Sequence, residues 1–131
     1  FYSPAEKKIA REAMERLGIS DLSGRSCREL SGGQQQRMFL ARAMCAAKKL
    51  LLLDEPVTGL DPAAQEEMYS LITELNQKDG MTVIMVSHDV VKSVECANRI
   101  LCLCSTDHCF FGTPEEYLGS HLGSKFSGGT K

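Results

Sequence analysis

The chain has no apolar run near the roughly 20 residues that a membrane-spanning helix needs, and no signal-peptide pattern at its start. An excess of one charge is missing too. The net charge is −2, which gives no electrostatic reason to expect nucleic acid or an anionic membrane as partner. No Gly-x-x-x-x-Gly-Lys-Ser/Thr loop occurs, so these residues lack the usual backbone grip on a nucleoside triphosphate. There is no initiator Met before Phe1, and the sequence reads as a piece of a longer protein. The six cysteines, at 27, 45, 96, 102, 104 and 109, follow no secretory signal and lie mostly in apolar segments. That pattern argues against a disulfide framework and for free, buried thiols in a cytosolic protein. Cys102-x-Cys104 with His108 and Cys109 could be drawn as a metal site, but the spacing matches no zinc pattern. Packing in a β-hairpin is the reading adopted.

What is present suits one compact domain: 131 residues, with 43% hydrophobic and 24% charged content. Ser3-Pro4-Ala5-Glu6 supplies a cap, a proline at the first helical position and a capping-box glutamate. Ile9, Ala13, Met14 and Leu17 follow at helical spacing, and Gly18 ends the segment. After a polar stretch from Ser20 to Glu29, a second helix is expected from Gly33 to about Ala47. Leu50 to Leu53 has no alternation, as expected of a strand buried on both faces of a parallel sheet. Asp61-Pro62 opens a helix with a stripe of Met68, Leu71, Ile72 and Leu75, which Gly80 breaks. Thr82 to Val86 reads as a second buried strand. Asp89 to about Ala97 reads as a short helix. Arg99–Cys104 and Cys109–Gly112 read as strands joined by the turn Ser105-Thr106-Asp107. Thr113-Pro114-Glu115-Glu116 starts a last helix, and a mobile Gly/Ser-rich tail is expected from Gly123. Strands alternating with helices predict an α/β layered fold with a parallel sheet.

Two segments carry the chemistry. Leu30-Ser31-Gly32-Gly33-Gln34-Gln35-Gln36-Arg37 places two glycines at a helix start, where unpaired N–H groups and the helix dipole attract anions. The glycines let a phosphate approach the backbone without a Cβ in the way, and the Ser31 hydroxyl can donate to it. Leu50-Leu51-Leu52-Leu53-Asp54-Glu55-Pro56 delivers two carboxylates from a strand end, where ligand crevices of open α/β sheets lie. Strand alternation gives the two carboxylates different jobs. Asp54 suits a hard cation, held directly or through water, and Glu55 can orient and polarise an attacking water. His88, just past the second strand, is placed to donate to a γ-phosphate or hold that water. His108 and His121 read as surface residues.

These segments, in this order, resemble the ABC ATPases from Ser3 to about Leu118. Leu30 to Gln34 is similar to the signature motif and Leu50 to Pro56 to the Walker B strand. Gly59-Leu60-Asp61-Pro62 resembles the D-loop, and His88 the switch histidine. Cys45 to Lys49, Pro56 to Gly59 and Phe110 to Glu116 look most like the subunits that energise zinc or manganese import. The resemblance implies a partial P-loop NTPase-type layered fold, with parallel strands flanked by helices. Residues 1–47 would hold part of the helical subdomain and the signature helix. Residues 48–122 would hold the core with a small hairpin and helix, and 123–131 a tail. It also implies ATP and Mg²⁺, the latter served by Asp54 through water, with Glu55 and His88 at the hydrolytic water and γ-phosphate. Ser31, Gly32, Gly33 and Gln34 would close over ATP bound by a second subunit, and Asp61 would lie at the contact between subunits. The implied partners are that second ATP-binding subunit, membrane permease subunits and, indirectly, an extracytoplasmic metal-binding protein, with no nucleic acid. The implied place is the cytoplasmic face of the membrane. Walker A, the adenine-stacking aromatic and the glutamine loop are absent, so these residues alone are expected to be inactive. The competing readings are a soluble ABC-type ATPase acting on nucleic acid or ribosomes, and a non-catalytic metal-binding or regulatory module.

Overall fold

The computed structural model describes the backbone of residues 2–105 and 108–127 and the side chains of 2–103 and 109–124. The chain divides into two compact units, residues 1–86 and 87–131.

The first unit begins with helix α1 (Pro4–Arg16), started by the expected capping box. Glu6 N–H donates to Ser3 Oγ at 3.2 Å and Ser3 N–H donates to Glu6 Oε2 at 2.7 Å. The Ser3 N–H, and then its hydroxyl, hold the Glu6 carboxyl below its ordinary pKa by stabilising the charged form. Gly18, at φ +64°, turns the chain out of the helix in the left-handed region. Two 3₁₀ turns, Ser20–Leu22 and Cys27–Glu29, carry it to α2 (Gly32–Ala46). Strand β1 (Leu50–Asp54), helix α3 (Pro62–Gln77) and strand β2 (Thr82–Val86) then form a β-α-β unit. The strands pair in parallel, from Leu50 opposite Thr82 to Asp54 opposite Val86. Ala13, Leu17, Ile19, Leu22, Leu40, Ala41, Leu51, Val57, Met68, Ile72 and Leu75 are buried between helices and sheet.

The expectation of strands buried on both faces is corrected. Leu51 is buried, but Leu50 and Leu52 are 50% and 71% exposed, and across the ladder Ile84 and Val86 are 50% and 56% exposed. Burial alternates although the chemistry of the run does not, because the helices of this unit cover one sheet face only. Buried thiols are corrected as well. Cys27, Cys45 and Cys109 are exposed, and Cys96 and Cys102 are half-buried. Cys27 sits on a surface 3₁₀ turn and Cys45 on the outer side of the last turn of α2.

In the second unit, α4 (Val90–Cys96) is capped by Asp89, whose Oδ1 accepts from Lys92 N–H at 3.0 Å. Strands β3 (Ile100–Ser105) and β4 (His108–Gly112) form the expected hairpin, with Leu103 opposite Cys109 and a register irregularity between Leu103 and Ser105. Residues 106 and 107 of its proposed turn lie outside the described residues. Helix α5 (Pro114–Gly119) starts at a Thr113/Glu116 capping box. Its buried Tyr117 meets Phe110 edge-on, with ring centroids 5.4 Å apart. The tail expected from Gly123 instead begins within helix α6 (His121–Ser127); residues 128–131 lie outside the described residues. Ser120 Oγ accepts from Gly123 N–H at 3.1 Å, and a Cβ on Gly123 would collide with the Tyr117 carbonyl. That glycine lets two short helices follow one another closely.

One-sided burial predicts an asymmetric response in β1. Leu51→Ala should lower the stability of the chain by about 2–5 kcal/mol, whereas Leu52→Ala should change it by no more than about 0.5 kcal/mol. Equilibrium urea unfolding of the two variants checks this.

Candidate functional site

Helices α2 and α3 both begin at one cleft of about 420 Å³, lined by Ser31, Gly32, Gly33 and Gln34 on one side and Gly59, Leu60 and Asp61 on the other. The two N-termini are built alike. Ser31 caps α2 and Asp61 caps α3, with Asp61 Oδ1 accepting from the N–H groups of Ala63 and Ala64, each at 3.1 Å. Four residues past each cap a glutamine reaches back to the carbonyl before it. Gln35 Nε2 donates to Leu30 O at 3.0 Å and Gln65 Nε2 donates to Leu60 O at 2.9 Å. The loop entering each helix is thereby pinned.

At α2 the cap is closed by a box: Gln34 N–H donates to Ser31 Oγ at 3.3 Å, and Ser31 N–H donates to Gln34 Oε1 at 3.0 Å. Ser31 Oγ accepts here, so its proton remains to be donated outward. Gln34, expected to touch a phosphate, turns its carbonyl oxygen onto its own helix start. The N–H groups of Gly32 and Gly33 belong to the first turn, which has no intrahelical acceptors.

Packing within the unit does not explain the two glycines. A Cβ on Gly32 would lie 3.6 Å from Leu60 Cδ2, and one on Gly33 would lie 3.5 Å from the Ala64 Cβ. Both are ordinary van der Waals distances, and neither glycine has a positive φ. The matching turn of α3 uses Pro62, Ala63 and Ala64. Both positions would thus accept a Cβ, and the two glycine N–H groups stand at the end of a helix dipole that favours an anion.

Asp54 ends β1 on the exposed face, in line with Leu50 and Leu52. Glu55 leaves the strand with φ +47°, the one non-glycine left-handed residue among those described. The divergence of the two carboxylates thus comes from this backbone turn, not from strand alternation alone. The turn is held at three points. Glu55 N–H donates to Val86 O at 2.9 Å, Thr58 N–H donates to Glu55 O at 3.2 Å, and Thr58 Oγ1 donates to Glu55 Oε2 at 3.0 Å. A left-handed glutamate costs about 1–2 kcal/mol, and such outliers gather at functional sites. The same turn runs on to Gly59, also left-handed at φ +78°, and so to Asp61.

His88 lies two residues past β2 in the second unit, and its side chain is exposed. Cys102 and Cys109 do not converge. Cys102 pairs with Phe110 and lies 3.9 Å through Sγ from the Tyr117 hydroxyl, whereas Cys109 pairs with Leu103 on the opposite face. The side chains of Cys104 and His108 lie outside the described residues. No group of three or more His, Cys, Asp or Glu that could hold a metal occurs among the described residues.

Sequence reasoning missed the paired glutamine braces, the Thr58–Glu55 hydrogen bond and the Arg37–Glu67 ion pair. A signal for the braces exists: Leu30-Ser31 and Leu60-Asp61 each precede a glutamine at the same spacing. The ion pair, thirty residues apart, leaves no local trace.

A parallel β-α-β unit whose first strand ends in Asp-Glu, joined by one turn to a cleft between two helix N-termini, is the arrangement of a nucleotide-handling α/β protein. The chain belongs to the ABC ATPase family, and a family model described as ABC transporter matches residues 3–58. The phosphonates import ATP-binding protein of Thiobacillus denitrificans is 43% identical over 114 residues, 87% of this chain and 44% of that protein. The zinc import ATP-binding protein of Ruegeria pomeroyi is 44% identical over 107 residues, 82% of this chain and 41% of that protein. Among solved structures, an inward-facing metal-chelate type ABC transporter aligns at a TM-score of 0.85 and 35% identity, over 90% of this chain and 47% of that chain. The chain thus spans less than half the length of these proteins. No helix among the described residues is long and apolar enough to cross a membrane.

Two substitutions test the local readings. Glu55→Gly should leave the chain about 1 kcal/mol more stable than Glu55→Ala, because only the left-handed backbone distinguishes them. Gly33→Ala should leave stability unchanged or raise it by up to about 1 kcal/mol, since the added methyl meets only ordinary contacts. Denaturant midpoints measured side by side decide both.

Proposed function

We propose that this chain is part of the ATP-binding subunit of an ABC importer, and that the whole protein hydrolyses ATP at the cytoplasmic face of a membrane to drive uptake through permease subunits. The observation that carries this reading is the cleft. Two braced helix N-termini face one space, and one of them opens with a neutral serine cap and two glycines whose N–H groups could receive a phosphate. In the assembled protein Ser31, Gly32 and Gly33 contact the γ-phosphate of ATP held by a second subunit. Asp61, at the opposite lip, lies at the subunit contact.

Asp54 fits a magnesium ion shared with phosphate oxygens, because such an ion takes only one or two carboxylates from protein. Magnesium, when bound, neutralises charge on the phosphate oxygens. Glu55 orients the attacking water and accepts its proton, with Thr58 holding one carboxylate oxygen in place. His88 donates to the γ-phosphate. The cargo is a transition-metal ion, zinc before manganese. Support comes from the zinc-import relative and the metal-chelate structural neighbour, though a phosphonate-import relative stands at nearly the same identity. Cargo selection accordingly falls to the permease and the extracytoplasmic binding protein rather than to these residues.

Phosphate release by the whole protein with its permease should be abolished by Glu55→Gln, which should accumulate ATP-bound dimers by size exclusion. The 131-residue chain, which lacks the phosphate-binding lysine loop, should show no Mg²⁺-dependent turnover. Turnover by that chain that disappears in Glu55→Gln, or monomers in the full-length variant, would count against the roles given.

A further inference from the structure

We propose that Arg37 is a positioning residue that sets the spacing between the two helix N-termini of the cleft. The inference rests on the functional reading above and adds a residue to it.

Arg37 lies on α2 six residues after the cap Ser31, and Glu67 lies on α3 six residues after the cap Asp61. The two residues therefore stand at the same depth, about 9 Å below their caps at 1.5 Å per residue. Arg37 Nη2 pairs with Glu67 Oε2, and Arg37 Nη1 donates to Leu17 O at 3.2 Å. That carbonyl belongs to the C-cap of α1, where acceptors have no intrahelical partner. One planar guanidinium thus ties three helices at the floor of the cleft, and Arg37 and Glu67 both line it.

The pair adds little to stability. The Arg37 side chain is 25% exposed but that of Glu67 is 60% exposed, and solvent screens such a pair. Its effect is geometric. The helices touch again at their tips, where Gly32 and Gly33 face Leu60 and Ala64. With contact at the tips and a tie at the floor, α2 and α3 form a two-point frame. Without the tie the tips pivot, and the Ser31–Gly33 turn and Asp61 lose their common register. Lysine offers a point charge that can meet either the Glu67 carboxylate or the Leu17 carbonyl, but not both through one rigid fork.

The test uses the full-length subunit assembled with its permease. Arg37→Ala should lower the kcat of ATP hydrolysis about tenfold or more, with KM for ATP and melting temperature near wild type. Arg37→Lys should fall between, and Glu67→Gln, at an exposed carboxylate, should lower kcat without touching the fold. Hydrogen exchange supplies a readout independent of hydrolysis: segments 30–37 and 60–67 should exchange faster in Arg37→Lys and in Glu67→Gln. Wild-type exchange in both, or a kcat loss accompanied by a matching rise in KM and a fall in melting temperature, would overturn the inference. Absence of Glu55-dependent hydrolysis in the wild-type assembly would overturn the functional reading instead, and the exchange data would still decide the role of Arg37.

Discussion

The parallel pairing of β1 with β2 sets the geometry of the carboxylates. The ladder does not stop at its last rung, Asp54 opposite Val86, because Glu55 N–H continues it to the Val86 carbonyl at 2.9 Å. A net hydrogen bond contributes about 1 kcal/mol, close to the 1–2 kcal/mol that a left-handed glutamate costs. With the Thr58 bonds added, the strain is offset locally, and the chain can turn at once from a strand end into the loop that feeds α3. Asp54 and Glu55 consequently leave the sheet in different directions. A glutamate still in extended conformation would carry its carboxylate across to the covered face of the strand, away from solvent.

The cleft is governed by a second constraint, the close approach of two helix N-termini with like polarity. Placing two such ends side by side is electrostatically unfavourable unless anions or acceptors answer them. The chain answers one with the Asp61 carboxylate and leaves the other to a neutral serine and two glycines. The asymmetry is chemically meaningful. A carboxylate cap at position 31 would repel a phosphate; the serine hydroxyl accepts from Gln34 N–H and keeps a proton for an incoming oxygen.

Much of this was legible in the residues because helix starts follow local rules. Ser3, Ser31, Asp61, Asp89 and Thr113 all cap helices. They announce themselves by side-chain chemistry within a few positions of the first turn. The parallel β-α-β unit was equally plain in the apolar runs and the helix between them. Three features were not. The left-handed Glu55 is imposed by a hydrogen bond to a strand thirty-one residues on, and its side chain gives no hint of it. Arg37 and Glu67 look like two ordinary surface charges until the helices are side by side. One-sided burial was hidden because an unbroken leucine run records which residues tolerate burial, not which of them this chain covers.

The exposed face bears unequally on the two halves of the proposed chemistry. Ser31, Gly32, Gly33 and Asp61 stand on α2 and α3, whose inner sides rest on Leu17, Leu40, Met68, Ile72 and Leu75, all buried. Their frame is thus complete within residues 1–86. Asp54 instead ends a strand whose outward neighbours, Leu52 and Val86, are more than half exposed. Water there screens a carboxylate and weakens its hold on a cation, because the Coulomb energy at fixed distance falls with the effective dielectric constant. The anion-receiving side of the cleft is therefore preorganised by this chain alone. Asp54 lies outside that cleft, and in the proposed function its hold on a cation depends on whatever lowers the dielectric around it.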